Sequence, residues 1–223
     1  MSATAFAPLV LFDLDGTLVD SAVDLLNALN QIVRDAGRPP MTLTQIRPVV
    51  SKGARAMLRV AFPELDDAGR EAFLQPFLAE YAEAVAVHST AFDGIEEVLH
   101  AIETSGSRWG IVTNKPFYLA EGVVATMGWD ERCAILIGAD TLPKKKPEPD
   151  QLFYACEQLD VVPGRCVYVG DDERDIVAAR AAGMKSVAAL WGYREAHENP
   201  ADWRPDASVE HPRDMLQPGL LAR

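Results

Sequence analysis

"VLFDLDGTLVDS", Val10 to Ser21, carries two features that pull against each other. With Leu9, its first residues make an apolar run that reads as a strand buried on both faces. Asp13 and Asp15 then appear just where that strand ends. Paired carboxylates at the tip of a buried strand are penalised twice, by mutual repulsion and by loss of water. They belong there only if something nearby uses their charge. Gly16 permits a turn straight after Asp15, which would bring both acids to one side.

Outward from this stretch, Asp20 or Ser21 can cap a helix. The apolar positions Ala22, Leu25, Leu26, Leu29, Ile32, Val33 and Ala36 follow helical three-four spacing, and Gly37, Pro39 and Pro40 end it. Further helical runs follow in "SKGARAMLRVAF" and "DDAGREAFLQPFLAEYAEAVAV", the latter kinked or split by Pro76. No strand pattern occurs between about Ser21 and His88. Beyond it, strand-like "WGIVTNK", "CAILIG", "CVYVGDD" and "SVAAL" alternate with helical "GIEEVLHAI", "YLAEGVVATM", "PDQLFYACEQL" and "DIVAARAAG". Such alternation predicts a parallel sheet covered by helices on both faces. The opening strand has no other partner and must join that sheet. The expected fold is therefore α/β, a Rossmann-like parallel core from residues 1–19 and 89–223, with a helical domain inserted at 20–88.

The chain has 223 residues, 48% of them hydrophobic, enough for a substantial core. A net charge of −12 argues against a nucleic-acid or anionic-membrane partner, and no apolar run approaches bilayer length. "MSATAFAPLVLF" lacks the basic flank and cleavage site of a signal peptide, and three cysteines in no metal-ligand spacing suit a reducing compartment. A cytoplasmic location is expected. Monomer and homodimer stay equally open.

In open parallel sheets, ligands bind at the carboxyl ends of the strands. Those ends carry Asp13 and Asp15, then Thr113 and Asn114, then Asp171 and Asp172, with Lys146 in the loop "KKKPEP". Carboxylates converging on one place need a cation. Asp13, Asp171 and a backbone carbonyl near Asp15 would be hard oxygen ligands suited to Mg²⁺. Thr113, Asn114 and Lys146 would add donors and positive charge, a cradle for a phosphoryl group. One carboxylate could attack that group and a second carboxyl protonate the leaving oxygen.

Four segments, "DLDGTLVD" (Asp13 to Asp20), "VTNK" (Val112 to Lys115), "KKPEP" (Lys145 to Pro149) and "GDDERD" (Gly170 to Asp175), resemble in order and placement the motifs of the haloacid dehalogenase superfamily. The resemblance implies Asp13 as nucleophile and Asp15 as general acid/base, with the Asp15 backbone carbonyl on Mg²⁺. It also implies Thr113 and Lys146 on the phosphoryl group, Asp171 as the metal-binding acid and Asp175 as a supporting acid. Asp172 stands where the pattern often has a small neutral residue, so ligand and supporting roles both stay open. The helical block resembles the family's inserted cap. "GADTLPKKKPEP" and "VYVGDDERDIVAARAAG" are similar to bacterial phosphoglycolate phosphatases, while "RPVVSKGARAML" and "GYREAHENPADW" also look like N-acetylmuramate 6-phosphate phosphatases.

These features imply a Mg²⁺-dependent phosphomonoesterase for a small acidic metabolite, with 2-phosphoglycolate first and N-acetylmuramate 6-phosphate second. A sugar phosphomutase shares the acid pair and cap. A receiver-like phospho-switch shares the phosphoacceptor chemistry but lacks the inserted helices. Selectivity would reside in the inserted block, where Lys52 and Arg55 flank Gly53 on the second helical run and offer cations for a substrate carboxylate. Trp191 and Tyr193 read as packing residues.

Overall fold

The computed structural model describes residues 6–222. Strand β1, Leu9–Phe12, lies in the middle of a six-stranded sheet with β4 (Arg108–Val112), β5 (Leu136–Ile137), β6 (Cys166–Gly170), β7 (Lys185–Ala189) and β8 (Ala207–Val209). The order is β5-β4-β1-β6-β7-β8, and every neighbouring pair is parallel. Alternation along β1 divides the core. Val10 and Phe12 pack with α6 (Ile95–Thr104) and α7 (Phe117–Thr126), whereas Leu9 and Leu11 pack with α8 (Asp150–Gln158) and α9 (Glu173–Ala181). That is the doubly covered sheet which apolar runs at strand period require. The expected strand "CAILIG" is shorter than its apolar run because β5 is an edge. Its neighbours Ala134 and Ile135 still exchange hydrogen bonds with Trp109 and Ile111.

Between β1 and β4, the ribbon β2 (Val19–Asp20) and β3 (Thr90–Ala91) pairs the two crossings to the helical block. The block holds α1 (Ala22–Asp35), α2 (Leu43–Ile46), α3 (Ala54–Ala61), α4 (Asp67–Glu71) and α5 (Leu74–Glu83). Its apolar side chains form a cluster of their own, from Ala22 to Tyr81, joined from outside by Leu119 and Tyr193. Ala36 of the expected α1 stripe is exposed, just past the end of the helix. Pro76 does split the long third run. The break falls at Ala72–Phe73, so Pro76 sits in the first turn of α5, where its missing N–H has no helical partner to lose.

The ribbon and the start of α1 are tied to the core at buried polar points. Asp24 accepts from the backbone N–H of His88 and of Ser89 and from the Ser89 hydroxyl, binding the outgoing crossing to the returning one. Tyr193 donates its hydroxyl to Asp20 at 2.6 Å while accepting from the N–H of Ser21. Tyr193 therefore packs as expected and also holds the crossing.

Candidate active site

Asp13 leaves the sheet in register, its N–H donating to Val169 O at 2.9 Å. The next turn relies on Gly16, with φ of +89°. A Cβ there would stand 2.2 Å from Asp171 Oδ2 and 2.7 Å from Ser51 Oγ, so any side chain would displace the acid at the end of β6. At the same edge, Gly170 leaves no room for a Cβ, which would meet the Asp175 carboxyl at 2.3 Å. Glycine at both places lets three carboxylates crowd together. Single oxygens of Asp13, Asp171 and Asp175 lie within 4.8 Å of one another, all on buried residues.

One ammonium sits among them. Lys146 Nζ is 2.8 Å from Asp13 Oδ1 and 2.7 Å from Asp175 Oδ1, with further bonds to Val112 O and the Tyr168 hydroxyl. Burial opposes its charge, yet Asp13 and Asp175 outweigh burial and hold its pKa above the ordinary lysine value. Three carboxylates still exceed one lysine. Burial, followed by the charges of Asp13 and Asp175, keeps the Asp171 carboxyl well above the usual range. Burial likewise pushes Asp175 up to about 6, with Lys146 opposing and Asp13 adding. Asp171 is held in place by Thr17 Oγ1 at 3.1 Å, Ser51 Oγ at 2.6 Å and the Tyr193 N–H at 2.8 Å.

This donor set is hard, anionic and short of positive charge, and it holds no nitrogen or sulfur donor of the sort zinc prefers. It fits a small divalent cation such as Mg²⁺. Ser51 Oγ lies 3.4 Å from the Asp15 carbonyl and 2.6 Å from Asp171 Oδ2, so carbonyl and carboxylate face the same small space. The Asp15 side chain points elsewhere. Its Oδ1 accepts from Ser21 Oγ at 2.5 Å, and both its oxygens lie 3.1 Å from Lys115 Nζ.

Thr113 is buried at the end of β4, its Oγ1 accepting from the Lys115 N–H at 3.2 Å. Asn114 donates Nδ2 to the Lys146 carbonyl at 2.9 Å, while its buried Oδ1 has no partner among the described residues. Asn114 thus joins the β4 loop to the lysine loop. Asp172 caps α9 and pairs with Arg174 and Lys52, both at 2.7 Å. Burial opposes its charge, but those two cations hold its carboxyl down at about 2.

Two expectations for the helical block change. Lys52 is on the turn before α3, not on the helix, and its ammonium is spent on Asp172 and Glu198. Gly53, with φ of +86°, starts the helix with open space beside it. Arg55 pairs with Glu71 at 2.7 Å near the surface, with side-chain exposures of 63% and 52%. All three line a cavity of about 290 Å³ that also reaches Asp13, Asp15, Thr113 and Lys146. Its apolar lining includes Leu25, Met57, Leu74, Leu78 and Leu119.

Sequence reasoning passed over Lys115, Tyr81, Ser51 and Arg174. Lys115 had a signal, since it closes the "VTNK" segment that also holds Thr113 and Asn114. Ser51 and Arg174 had none. Their meeting, Arg174 Nη2 on the Ser51 carbonyl, joins segments 123 residues apart.

Known proteins are similar to this chain in sequence and in shape. The chain is 53% identical over 213 residues to the phosphoglycolate phosphatase of Xanthomonas campestris pv. campestris strain 8004, covering 96% of each chain. It is 46% identical over 209 residues to the N-acetylmuramic acid 6-phosphate phosphatase of Pseudomonas aeruginosa, covering 93% of this chain and 92% of that one. The crystal structure of a predicted phosphoglycolate phosphatase from Haemophilus somnus 129PT superimposes with a TM-score of 0.84 at 28% identity, over 94% of this chain and 96% of that one. The sequence model of the haloacid dehalogenase-like hydrolases spans residues 10–189, from the opening strand through the acids at the end of β6 and on to β7, and the chain belongs to that family.

Proposed function

We propose that this hydrolase is a Mg²⁺-dependent phosphomonoesterase acting on 2-phosphoglycolate, with residues 20–88 serving as a cap over the site. The observation that carries the reading is the buried trio Asp13, Asp171 and Asp175 around Lys146, a charge arrangement that has no use in a structural core. Asp13, Asp171 and the Asp15 carbonyl would hold Mg²⁺, whose chemistry there is to neutralise the phosphoryl oxygens. Asp175 supports the trio through Lys146, and Asp172 anchors the cap through Lys52.

Asp13 is the nucleophile. Its oxygen forms a bond to phosphorus as the ester P–O bond breaks, and the leaving oxygen takes the electron pair and a proton from Asp15. Thr113, Asn114 and Lys146 surround the transferring group with donors. A water oxygen then bonds to phosphorus, giving a proton to Asp15, and the P–O bond to Asp13 breaks to restore its carboxylate. Gly16 keeps the turn thin enough for both acids to serve. Three cysteines, an odd number in no metal-ligand spacing, suit a cytoplasmic home.

A second reading, N-acetylmuramate 6-phosphate, has its own support. The apolar lining of the cavity offers contact to acetyl and lactyl groups that a two-carbon acid lacks. The test compares kcat/KM for the two esters in Mg²⁺ and in EDTA. Hydrolysis of neither, or equal hydrolysis in metal-free buffer, would overturn the proposal. A higher value for the sugar ester would move the assignment to the second reading.

A further inference from the structure

Lys115 lines the same cavity, yet neither the phosphoryl cradle nor the carboxylate trio uses it. It comes from the core, three residues past β4, and its side chain is 5% exposed. A lysine so enclosed gives up hydration and rotamer freedom, a loss that only specific partners offset. Its partners are specific. Both Asp15 oxygens lie 3.1 Å from its ammonium, and the Tyr81 hydroxyl accepts from it at 3.0 Å. Tyr81 belongs to α5 of the helical block and is itself buried. Burial opposes its charge, but the Asp15 carboxylate and the Tyr81 hydroxyl outweigh burial and hold its pKa above the ordinary lysine value.

The geometry points to Lys115 as a positioning residue for Asp15, with Tyr81 making that position depend on the seating of the helical block. This rests on Asp15 being the proton donor and acceptor of the proposed reaction. Contact with both oxygens fixes the plane of the carboxyl group, and Ser21 Oγ on Oδ1 fixes its rotation. When Asp15 passes its proton to the leaving oxygen, negative charge grows beside an ammonium already desolvated and in place, with little reorganisation. When the block lifts, Lys115 loses the Tyr81 hydroxyl and is exposed to water, so the acid is held firmly only over a covered site.

The test sets Lys115→Met and Tyr81→Phe beside Asp15→Asn, each assayed with Mg²⁺ on p-nitrophenyl phosphate and on alkyl phosphates. Nitrophenolate leaves with little help, whereas an alkoxide needs the proton. Asp15→Asn should therefore lose far more on the alkyl esters. Lys115→Met should show the same leaving-group bias, about tenfold or more on alkyl esters, a part of the roughly 10²–10⁴-fold that general acid catalysis supplies. Its KM for the nitrophenyl ester should stay near wild type. Tyr81→Phe keeps the packed ring and should show the bias at lower amplitude, which keeps the test open if Lys115→Met folds poorly. Lys115→Arg should restore part of the alkyl activity. Equal losses on both ester types in Lys115→Met and Tyr81→Phe, with the bias intact in Asp15→Asn, would overturn the positioning role alone. No bias in Asp15→Asn would instead remove the acid/base reading on which it rests.

Discussion

Replacing Lys146 with methionine removes the one ammonium that bridges Asp13 and Asp175, at 2.8 and 2.7 Å, while keeping nearly the same side-chain length. The exposures of the three side chains are 2%, 11% and 2%, so water screens the remaining carboxylates weakly. Removing one partner of a buried ion pair costs about 3–5 kcal/mol, because the other charge is left uncompensated. Against a whole-domain stability of about 5–15 kcal/mol, that is a severe loss. With a urea m-value of about 3 kcal/mol/M, at the upper end for small proteins, the midpoint should fall by roughly 1–1.7 M. The assay is urea unfolding in EDTA at pH 7, followed by fluorescence of the buried Trp109 and Trp129. The pair variant Lys146→Met/Asp175→Asn should recover at least about 1 kcal/mol, since it removes one of the stranded carboxylates. A single variant within about 0.5 kcal/mol of wild type, the range of ordinary surface changes, would refute the reasoning. A pair variant no more stable than the single would refute it too. With Mg²⁺ present, Lys146→Met should also turn over p-nitrophenyl phosphate about 10²–10³-fold more slowly.

Asp13→Asn should fold normally and lose turnover, because an amide is a poor nucleophile, and substantial activity in a verified protein would remove Asp13 from that role. The raised Asp175 carboxyl, at about 6 against 3.8 unfolded, binds its proton more tightly in the folded state. Its contribution is fully present below about pH 4 and lost as pH rises through about 6, on the order of 3 kcal/mol in Mg²⁺-free protein. Since Mg²⁺ competes with those protons, its affinity should climb across the same window with proton release in calorimetry, and a flat profile would count against the shared site. Lys52→Ala should slow hydrolysis of p-nitrophenyl phosphate and of 2-phosphoglycolate in parallel, because its ammonium ties the block to Asp172 and Glu198. A loss confined to the carboxylated ester would return Lys52 to substrate recognition. Arg55→Ala, which removes an exposed ion pair, should change stability by less than about 1 kcal/mol.

The amino-acid sequence by itself determined the sheet, its helical cover, the inserted block and the strand ends at which acids, threonine and lysine gather. Those features are local. An apolar run of strand period, a glycine after an aspartate and a helix period between prolines each act within a few residues. What only the tertiary structure decided is which charge meets which. Asp13, Asp171 and Asp175 form the buried trio, while the Asp15 side chain turns away to Lys115. Lys52 looked like a free cation on a helix but sits on a turn with two carboxylates already beside it. Tyr81 reaches Lys115 across 34 residues and Ser51 reaches Asp171 across 120. Such pairings are set where separately folded surfaces come together. Spacing along the chain orients a side chain on its own strand or helix, but the partner on the facing surface depends on how the elements dock.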